Sequence, residues 1–576
     1  MTVTTDKIPE HQTRGSALPP GVFSPVMLDV HIGRRTAWAL LIAFLLLLCI
    51  PAVHQFIHDA RAGHPAALLA DLNAAGHTQA GRLWFPTHES LKEFEDKVAH
   101  DSALARSVRQ AYQSLLTGTL HSGSETVFLG EDGYLFFRQE IDLSAGAGFL
   151  SPQSFALKRS THAFDAGEDI FTQSVRGLFV TQTARPIRAK NQIPVDPIAA
   201  IADYNAQLAA RGIHLVLLPV PVKPILYPEK VWPGYPHSAG PAWNVDHAQW
   251  LSRLAGQGVD VLDLTDDLWA ARQADPATPL YLKTDTHWTP RGLALAADRI
   301  AEYIRDRAPT LPRLGPLTTQ DATVTAHGDL YTNLFEKAEN RHFPPETVTV
   351  TRILSAAGDP LSTSDPAARI LLLGDSFANI YASDSLAWGT SAGLPQQLML
   401  RLHTPIHTIA LNGGGAVQVR EALARAPEAL AGKKLVLWEF TTRDLGDLSL
   451  LWEPVPLPPA ASATTAAASA GTLVVIAELL EGPKPVPTNG AYENAVVLLK
   501  FRVRSVVAGT YAKPEILATF VALENRRRAP AASYAAGQKF RLTLSPTIAP
   551  PQGWTKIDDT QEYSLKEYWA LSAEPQ

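Results

Sequence analysis

The sequence is poor in the residues from which disulfide and zinc sites are built. Only one of its 576 residues, Cys49, is a cysteine, which excludes an intramolecular disulfide framework and a cysteine-based zinc site. A basic excess is also missing, since 50 Lys plus Arg stand against 56 Asp plus Glu, a formal charge of −6. Nucleic-acid binders show a basic excess or a basic face, so that class is disfavoured and no nucleic-acid partner is expected. A mean hydropathy of −0.02 rules out a chain that crosses a bilayer many times. The 18 histidines show no metal-ligand spacing, and no Gly-rich loop ends in the Lys-Ser/Thr of a phosphate-binding loop. Neither a metal nor another cofactor is expected. No repeat period recurs. What the chain does have is 46% hydrophobic residues, enough for a large core and against disorder throughout.

One long apolar run stands out. Residues 36–53 carry no charge and follow directly on Arg34 and Arg35. The run is about the minimum length for a bilayer core, and the flanking arginines keep residues 1–35 on the cytoplasmic side. A single-pass anchor with everything after residue 53 exported is the expectation. A cleaved signal peptide fits less well, because the charged segment begins late and no small-x-small cleavage site follows.

Composition divides the exported part. Residues 54–120 read as a helical, polar stalk. Residues 121–452 carry short continuous apolar segments alternating with helical patterns, including Ile213–Leu218, Val259–Leu264, Arg369–Leu373, Thr408–Leu411 and Leu435–Phe440. That alternation predicts an α/β domain with a parallel sheet covered on both faces, whose chemistry gathers at the carboxyl ends of the strands. Residues 453–471 are rich in Pro, Ala, Ser and Thr, a linker by composition. Residues 472–576 read as a small all-β domain, with Arg526, Arg527 and Arg528 in a loop.

The strongest chemical signal is the apolar strand that runs into Gly374-Asp375-Ser376 and then a helix starting near Phe377. Such a turn lifts a serine hydroxyl out at the strand's end, and the Ser376 amide is available to an oxyanion. By itself the segment reads equally well as a helix N-cap. A serine nucleophile needs a base and the base an orienting acceptor. Asp285 and His287 stand in the extended stretch before a helix opened by Thr289 as N-cap and Pro290, and at i,i+2 their side chains share one side. Asn412 and Gly413, after the strand ending at Leu411, are further oxyanion candidates. Tyr281, Trp288, Lys223 and Arg443 are candidates to bind substrate, with core packing as the alternative for the two aromatic residues and plain solvation for the two cations.

Gly374-Asp375-Ser376-Phe377 resembles the first block of SGNH-type esterases. The order of Asp285-Thr286-His287-Trp288 before it resembles the periplasmic alginate O-acetyltransferases of the AlgJ/AlgX type. Gly130–Phe136, Pro219–Pro224, His327–Leu330 and Trp438–Arg443 support the same resemblance over about residues 125–445. It implies an SGNH-like three-layer α/β sandwich, with Ser376 as nucleophile, His287 as base and Asp285 as its orienter. It further implies acetyl transfer to hydroxyls of an exported polysaccharide. The implied setting is the periplasmic face of the inner membrane, with a membrane-bound O-acyltransferase as donor partner. A carbohydrate-binding role for the C-terminal domain follows from the same resemblance, although its strands read equally well as another small barrel. An esterase or deacetylase would use the same three residues. A non-catalytic glycan-binding scaffold would not need them.

Overall fold

A computed structural model describes residues 34–61, 103–165, 194–307, 311–335, 340–458, 472–483, 494–524, 527–546, 554–558, 560, 562 and 565–576. Residues 1–33 of the tail expected to be cytoplasmic, residues 62–102 of the expected stalk, residues 459–471 of the expected linker and Arg526 lie outside them. The chain divides into two compact units, residues 1–108 and 109–576. In the first, the helix Arg34–Arg61 includes the apolar run, and Leu40, Leu41, Ile42, Phe44 and Ile50 are exposed on it. Among the described residues no helix is long and apolar enough to cross a membrane, and the side chains of residues 45–49 are outside that set. The anchor expected at residues 36–53 is therefore not shown.

The second unit is built on a five-stranded sheet. Its strands are β1 (His214–Val220), β2 (Asp260–Val261), β3 (Ile370–Gly374), β4 (Ile406–Ala410) and β5 (Leu435–Thr441), in the order β2-β1-β5-β3-β4. All neighbours pair in parallel. Alternate residues feed two cores, one on each face. Val216, Leu218, Ile370, Leu372 and Leu437 enter one, and Leu215, Leu217, Leu371, Val436 and Trp438 enter the other. Continuous apolar strands are what a sheet buried on both faces requires. Trp452, Val455 and Leu457 are buried in the second core, so residues 453–458, expected in the linker, still pack on this domain.

Helix starts are set by local chemistry. Asp196 accepts the Ile198 amide at 2.9 Å to open α1 (Pro197–Ala209). The Thr289 hydroxyl accepts the Gly292 amide at 3.2 Å to open α2 (Pro290–Arg307). Both have Pro in the first turn, where no N–H is missed. The helix expected after Gly374-Asp375-Ser376 is a single turn, α3 (Ser376–Asn379). α4 (Leu394–Leu402) and α5 (Gly415–Arg425) follow.

Two hairpins dock near the carboxyl ends of the strands. Val127–Leu129 pairs with Leu135–Phe137 across the Gly130–Gly133 turn, and the Leu135 amide reaches the Lys283 carbonyl at 2.8 Å. Leu317–Ala326 pairs with Glu346–Ser355. This second hairpin carries Thr and Val in alternation with mostly exposed faces, and no apolar run in the sequence anticipates it.

The C-terminal strands are β6 (Leu473–Leu479), β7 (Ala495–Ala508), β8 (Glu515–Glu524), β9 (Arg527–Arg528), β10 (Lys539–Ser545), β11 (Thr555–Asp558) and β12 (Glu567–Pro575). Their order is β9-β8-β12-β10-β6-β7-β11, and β7 also pairs with β8. That extra ladder closes five strands into a barrel around Val475, Leu499, Phe501, Phe520 and Leu542, leaving no free edge among those five.

Candidate active site

Ser376 stands where β3 ends. Asp375, in extended conformation, caps α3 by accepting the Phe377 amide at 2.8 Å. Its second oxygen accepts the Thr441 hydroxyl at 2.8 Å. The turn is thereby tied to the end of β5. Gly374 is required by space, since a Cβ there would lie 2.7 Å from Glu439 Oε2 and 2.8 Å from Ala378 Cβ. Because α3 has one turn only, the positive charge at its start is small.

Residues 280–289 form a tight loop facing that turn. The Leu282 amide donates to the His287 carbonyl at 3.0 Å and the Thr289 amide to the Leu280 carbonyl at 2.8 Å. At the tip, Asp285 Oδ1 accepts both the His287 amide (3.0 Å) and His287 Nδ1–H (2.6 Å). The i,i+2 spacing thus lets one carboxylate fix its neighbour's backbone and ring together. With Nδ1 protonated, Nε2 is the acceptor, and Ser376 Oγ donates to it at 2.8 Å. The three side chains singled out in sequence lie in one hydrogen-bonded line, all of them buried: Ser376 is 0% exposed, His287 2% and Asp285 2%.

Asp285 Oδ2 accepts Trp388 Nε1–H at 2.9 Å and the Asp329 amide at 3.0 Å. Burial alone would raise this carboxyl, but the His287 charge and these donors hold it below the usual carboxylate range. Burial would lower His287, but the Asp285 charge and hydrogen bond raise it above an ordinary imidazole. Asp329 is raised by burial and by the Asp285 charge, and accepts the Thr286 amide at 2.8 Å and hydroxyl at 2.6 Å. Asp285, His287 and Asp329 bring ligand-type atoms within 4.8 Å of one another. Those of Asp285 are already saturated by four donors, which leaves the cluster poorly suited to a cation.

The loop tip is clamped from three more directions. Glu346 accepts the Lys283 and Thr284 amides at 2.9 and 2.8 Å and the Thr284 hydroxyl at 2.7 Å. Gly328 passes so close that a Cβ would lie 2.2 Å from the Thr284 carbonyl oxygen. Lys223, a candidate to bind substrate, is 0% exposed and gives its three N–H groups to the carbonyls of Leu282 (2.9 Å), Lys283 (3.2 Å) and Asp285 (2.6 Å). Burial pushes its ammonium below the ordinary lysine range despite the Glu140 charge.

Other sequence candidates are likewise turned inward. Arg443 pairs at 3.1 Å with Glu140, whose carboxyl burial pushes up to about 7 against the Arg443 charge. Tyr281 and Trp288 are wholly buried. Tyr281 donates to the Pro221 carbonyl at 2.5 Å, and Trp288 packs edge-on against Phe377. Tyr281 and Trp288 therefore offer no surface to a sugar, whereas the Arg443 side chain keeps 14% of its surface exposed. Asn412 is buried after β4, accepting Asn379 Nδ2–H at 3.0 Å, while Gly413 beside it has φ +71°. Both lie at the same sheet edge as Ser376, because Gly374 and Ala410 are register partners.

Trp388, Asp329, Gly328 and Glu346 are site residues that sequence reasoning does not find. His327–Leu330 stands out in sequence without a role, and the others carry no local signal. A cleft of about 550 Å³ runs from Asn379 and Leu411 along edge strand β4 to the barrel, where Trp554, Lys556 and Lys566 line it.

Residues 176–442 match the family model described as "SGNH hydrolase-like domain, acetyltransferase AlgX". The probable alginate O-acetylase AlgJ of Pseudomonas fluorescens is 28% identical over 267 residues, 44% of this chain and 64% of the relative. This chain therefore spans a little under two thirds of that relative's length. The AlgJ of Pseudomonas aeruginosa is 28% identical over 282 residues, 46% of this chain and 68% of the relative. Among solved structures, the O-acetyltransferase domain of Pseudomonas putida AlgJ aligns with a TM-score of 0.37 and 22% identity, over 56% of this chain and 92% of that one. Pseudomonas aeruginosa AlgX aligns with a TM-score of 0.36 and 17% identity, over 62% of this chain and 86% of that one. Residues 176–442 thus match the SGNH hydrolase-like acetyltransferase domain of AlgX, and a little under half of the chain is similar in sequence to probable alginate O-acetylases AlgJ.

Proposed function

We propose that this chain is an O-acetyltransferase that passes an acetyl group through an acyl-Ser376 intermediate to hydroxyls of an exported, alginate-like polysaccharide. The observation that carries the proposal is the unbroken line Asp285 Oδ1···His287 Nδ1, His287 Nε2···Ser376 Oγ, at 2.6 and 2.8 Å. In the first half, Ser376 Oγ attacks the acetyl carbonyl carbon while its proton moves to His287 Nε2. The C–O bond to the donor alcohol then breaks, and His287 returns the proton to the leaving oxygen. In the second half a sugar hydroxyl attacks the acyl-serine, gives its proton to Nε2, and Ser376 recovers that proton as the new ester leaves. Asp285 stays ionised and stabilises the imidazolium. The Ser376 amide, with Asn412 or Gly413, supplies the oxyanion contacts.

The β4–barrel cleft, with Trp554 and two lysines, supports a role for the C-terminal domain in holding the glycan acceptor. The apolar run at 36–53 supports an inner-membrane anchor that keeps the periplasmic domain near a membrane-bound acyl donor. The test is purified protein with 4-nitrophenyl acetate, with and without oligouronate. Acetylated oligosaccharide that disappears in Ser376→Ala is the expected result. Acetate release indifferent to acceptor would refute transfer, and full activity in Ser376→Ala would refute the serine mechanism.

A further inference from the structure

Glu439 is out of place by every rule of burial. It sits in β5, the middle strand of the sheet, between Trp438 and Phe440, and all seven residues of that strand are buried. Its exposure is 0%. Among the described residues it makes no ion pair, and its Oε1 is buried without a hydrogen-bond partner. An ionised carboxylate with one bare oxygen in such a place is very costly, whereas a neutral acid is far less so. The other oxygen is engaged, since Oε2 accepts the Asp375 amide at 2.9 Å, and the lack of a side chain at Gly374 makes room for it. Asp375 in turn uses both its oxygens on Phe377 and Thr441. Two carboxyl groups without a cation therefore hold the turn that carries Ser376.

The groups that face Glu439 reinforce its neutrality. They are Asp375 on the turn, Asp444 just beyond β5, and Tyr281 on the loop of residues 280–289. Burial first, and then the Asp375 charge, raise the Glu439 carboxyl well above its ordinary range. Asp444 is itself raised to about 7 by burial, against the Arg443 charge.

We propose that Glu439 is a positioning residue that works as an uncharged carboxylic acid, fixing the Asp375 amide and with it Ser376, and that its ionisation loosens this turn at alkaline pH. The proposal rests on the reading of Ser376 as the nucleophile, but its protonation half is testable without that reading. In the full-length protein, Glu439→Gln keeps a carbonyl oxygen for the Asp375 amide and cannot ionise. It is expected to retain kcat for 4-nitrophenyl acetate within about fivefold at neutral pH, and to lose the alkaline decline of the parent protein. Glu439→Ala is expected to lose more than roughly tenfold in kcat with KM little changed, since the residue touches no substrate. Asp444 titrates in both proteins, so the difference between their profiles isolates Glu439.

Thermal unfolding supplies the second readout. Between the ordinary glutamate value and the raised native one, the folded state holds a proton that the unfolded state has lost. The parent protein's folding constant therefore falls by up to about tenfold per pH unit as pH rises through that window. Glu439→Gln is expected to abolish that part of the slope. A Gln variant as impaired as Ala, or one that keeps the parent's alkaline decline, would overturn the positioning role. Equal melting slopes for parent and Gln variant would overturn the neutral acid. If ester turnover proves independent of Ser376, the proposed function fails while the melting comparison still decides the state of Glu439.

Discussion

Trp388 lies 103 residues from Asp285 and donates to its buried carboxylate, which makes Trp388→Phe an incisive perturbation. The change keeps an aromatic ring in a fully buried position and removes one N–H from a charged acceptor. A hydrogen bond to a charged group contributes about 1.5–3 kcal/mol, and the smaller ring leaves a small cavity costing about 1 kcal/mol more. A loss of about 2.5–4 kcal/mol in unfolding free energy at pH 7 follows. The same 1.5–3 kcal/mol raises the Asp285 carboxyl by about one to two pH units. A more basic Asp285 attracts the imidazolium more strongly, so the acid limb of kcat/KM moves up from a position already above an ordinary imidazole.

The sign of the stability effect separates this coupling from simple packing. Asp285 is held below its ordinary carboxylate value, so its charge stabilises the fold above that value, and the contribution fades as pH falls through the native one. The Trp388 bond acts on the charged form. Its removal should therefore cost most at pH 7, with the difference shrinking as pH falls below the ordinary carboxylate range and through the native Asp285 value of about 2. Urea unfolding at several pH values, beside a pH–rate profile with an acetyl ester, measures both. A penalty constant with pH would show that Trp388 merely fills space. An acid limb that moves down would refute the coupling.

Lys223→Met is isosteric enough to fill its site but orphans the Leu282 and Asp285 carbonyls, while that of Lys283 keeps the Leu135 amide, and is expected to cost about 3 kcal/mol in urea unfolding at pH 7. Because Lys223 holds the loop rather than substrate, steady-state kinetics should show a fall in kcat with little change in KM. Gly328→Ala should lower ester turnover more than roughly tenfold, because the new Cβ must push the Thr284–Asp285 backbone away from 2.2–2.5 Å. Gly256→Ala, where a Cβ meets nothing within 4 Å, should stay within about 0.5 kcal/mol and keep full turnover, which calibrates the first result.

The features legible in sequence are those whose determinants are local. Continuous apolar strands mark a sheet covered on both faces, and Asp285 and His287 are visible together because a two-residue spacing lets one carboxylate bind both the amide and the ring of its neighbour. The Gly374-Asp375-Ser376 turn is visible because the glycine, the cap and the hydroxyl are consecutive. What stays hidden is the long-range clamp. Trp388, Asp329, Glu346 and Lys223 reach the loop of residues 280–289 from distant segments, and no spacing reports that they converge. The Leu317–Ala326 and Glu346–Ser355 hairpin hides for a related reason, since its alternating Thr and Val residues face largely outward and lack the apolar runs of the sheet.

Lys223 and Glu439 show how burial reverses an inference drawn from residue type. A lone lysine reads as a solvated or ligand-facing cation, because three N–H donors normally find water or an anion. Here a loop whose carbonyls point inward needs those three donors to escape the cost of unpaired backbone groups, so the charge is absorbed by structure. A lone glutamate in an apolar strand is rarely buried without a partner. Here it is tolerated by giving up its charge, and its one acceptor oxygen secures the amide next to Ser376. In both cases the polar atom count of a neighbouring turn, rather than the charge of the side chain, decides what the residue is for. Neither count can be taken until the chain has brought residues 223 and 285, or 375 and 439, into contact.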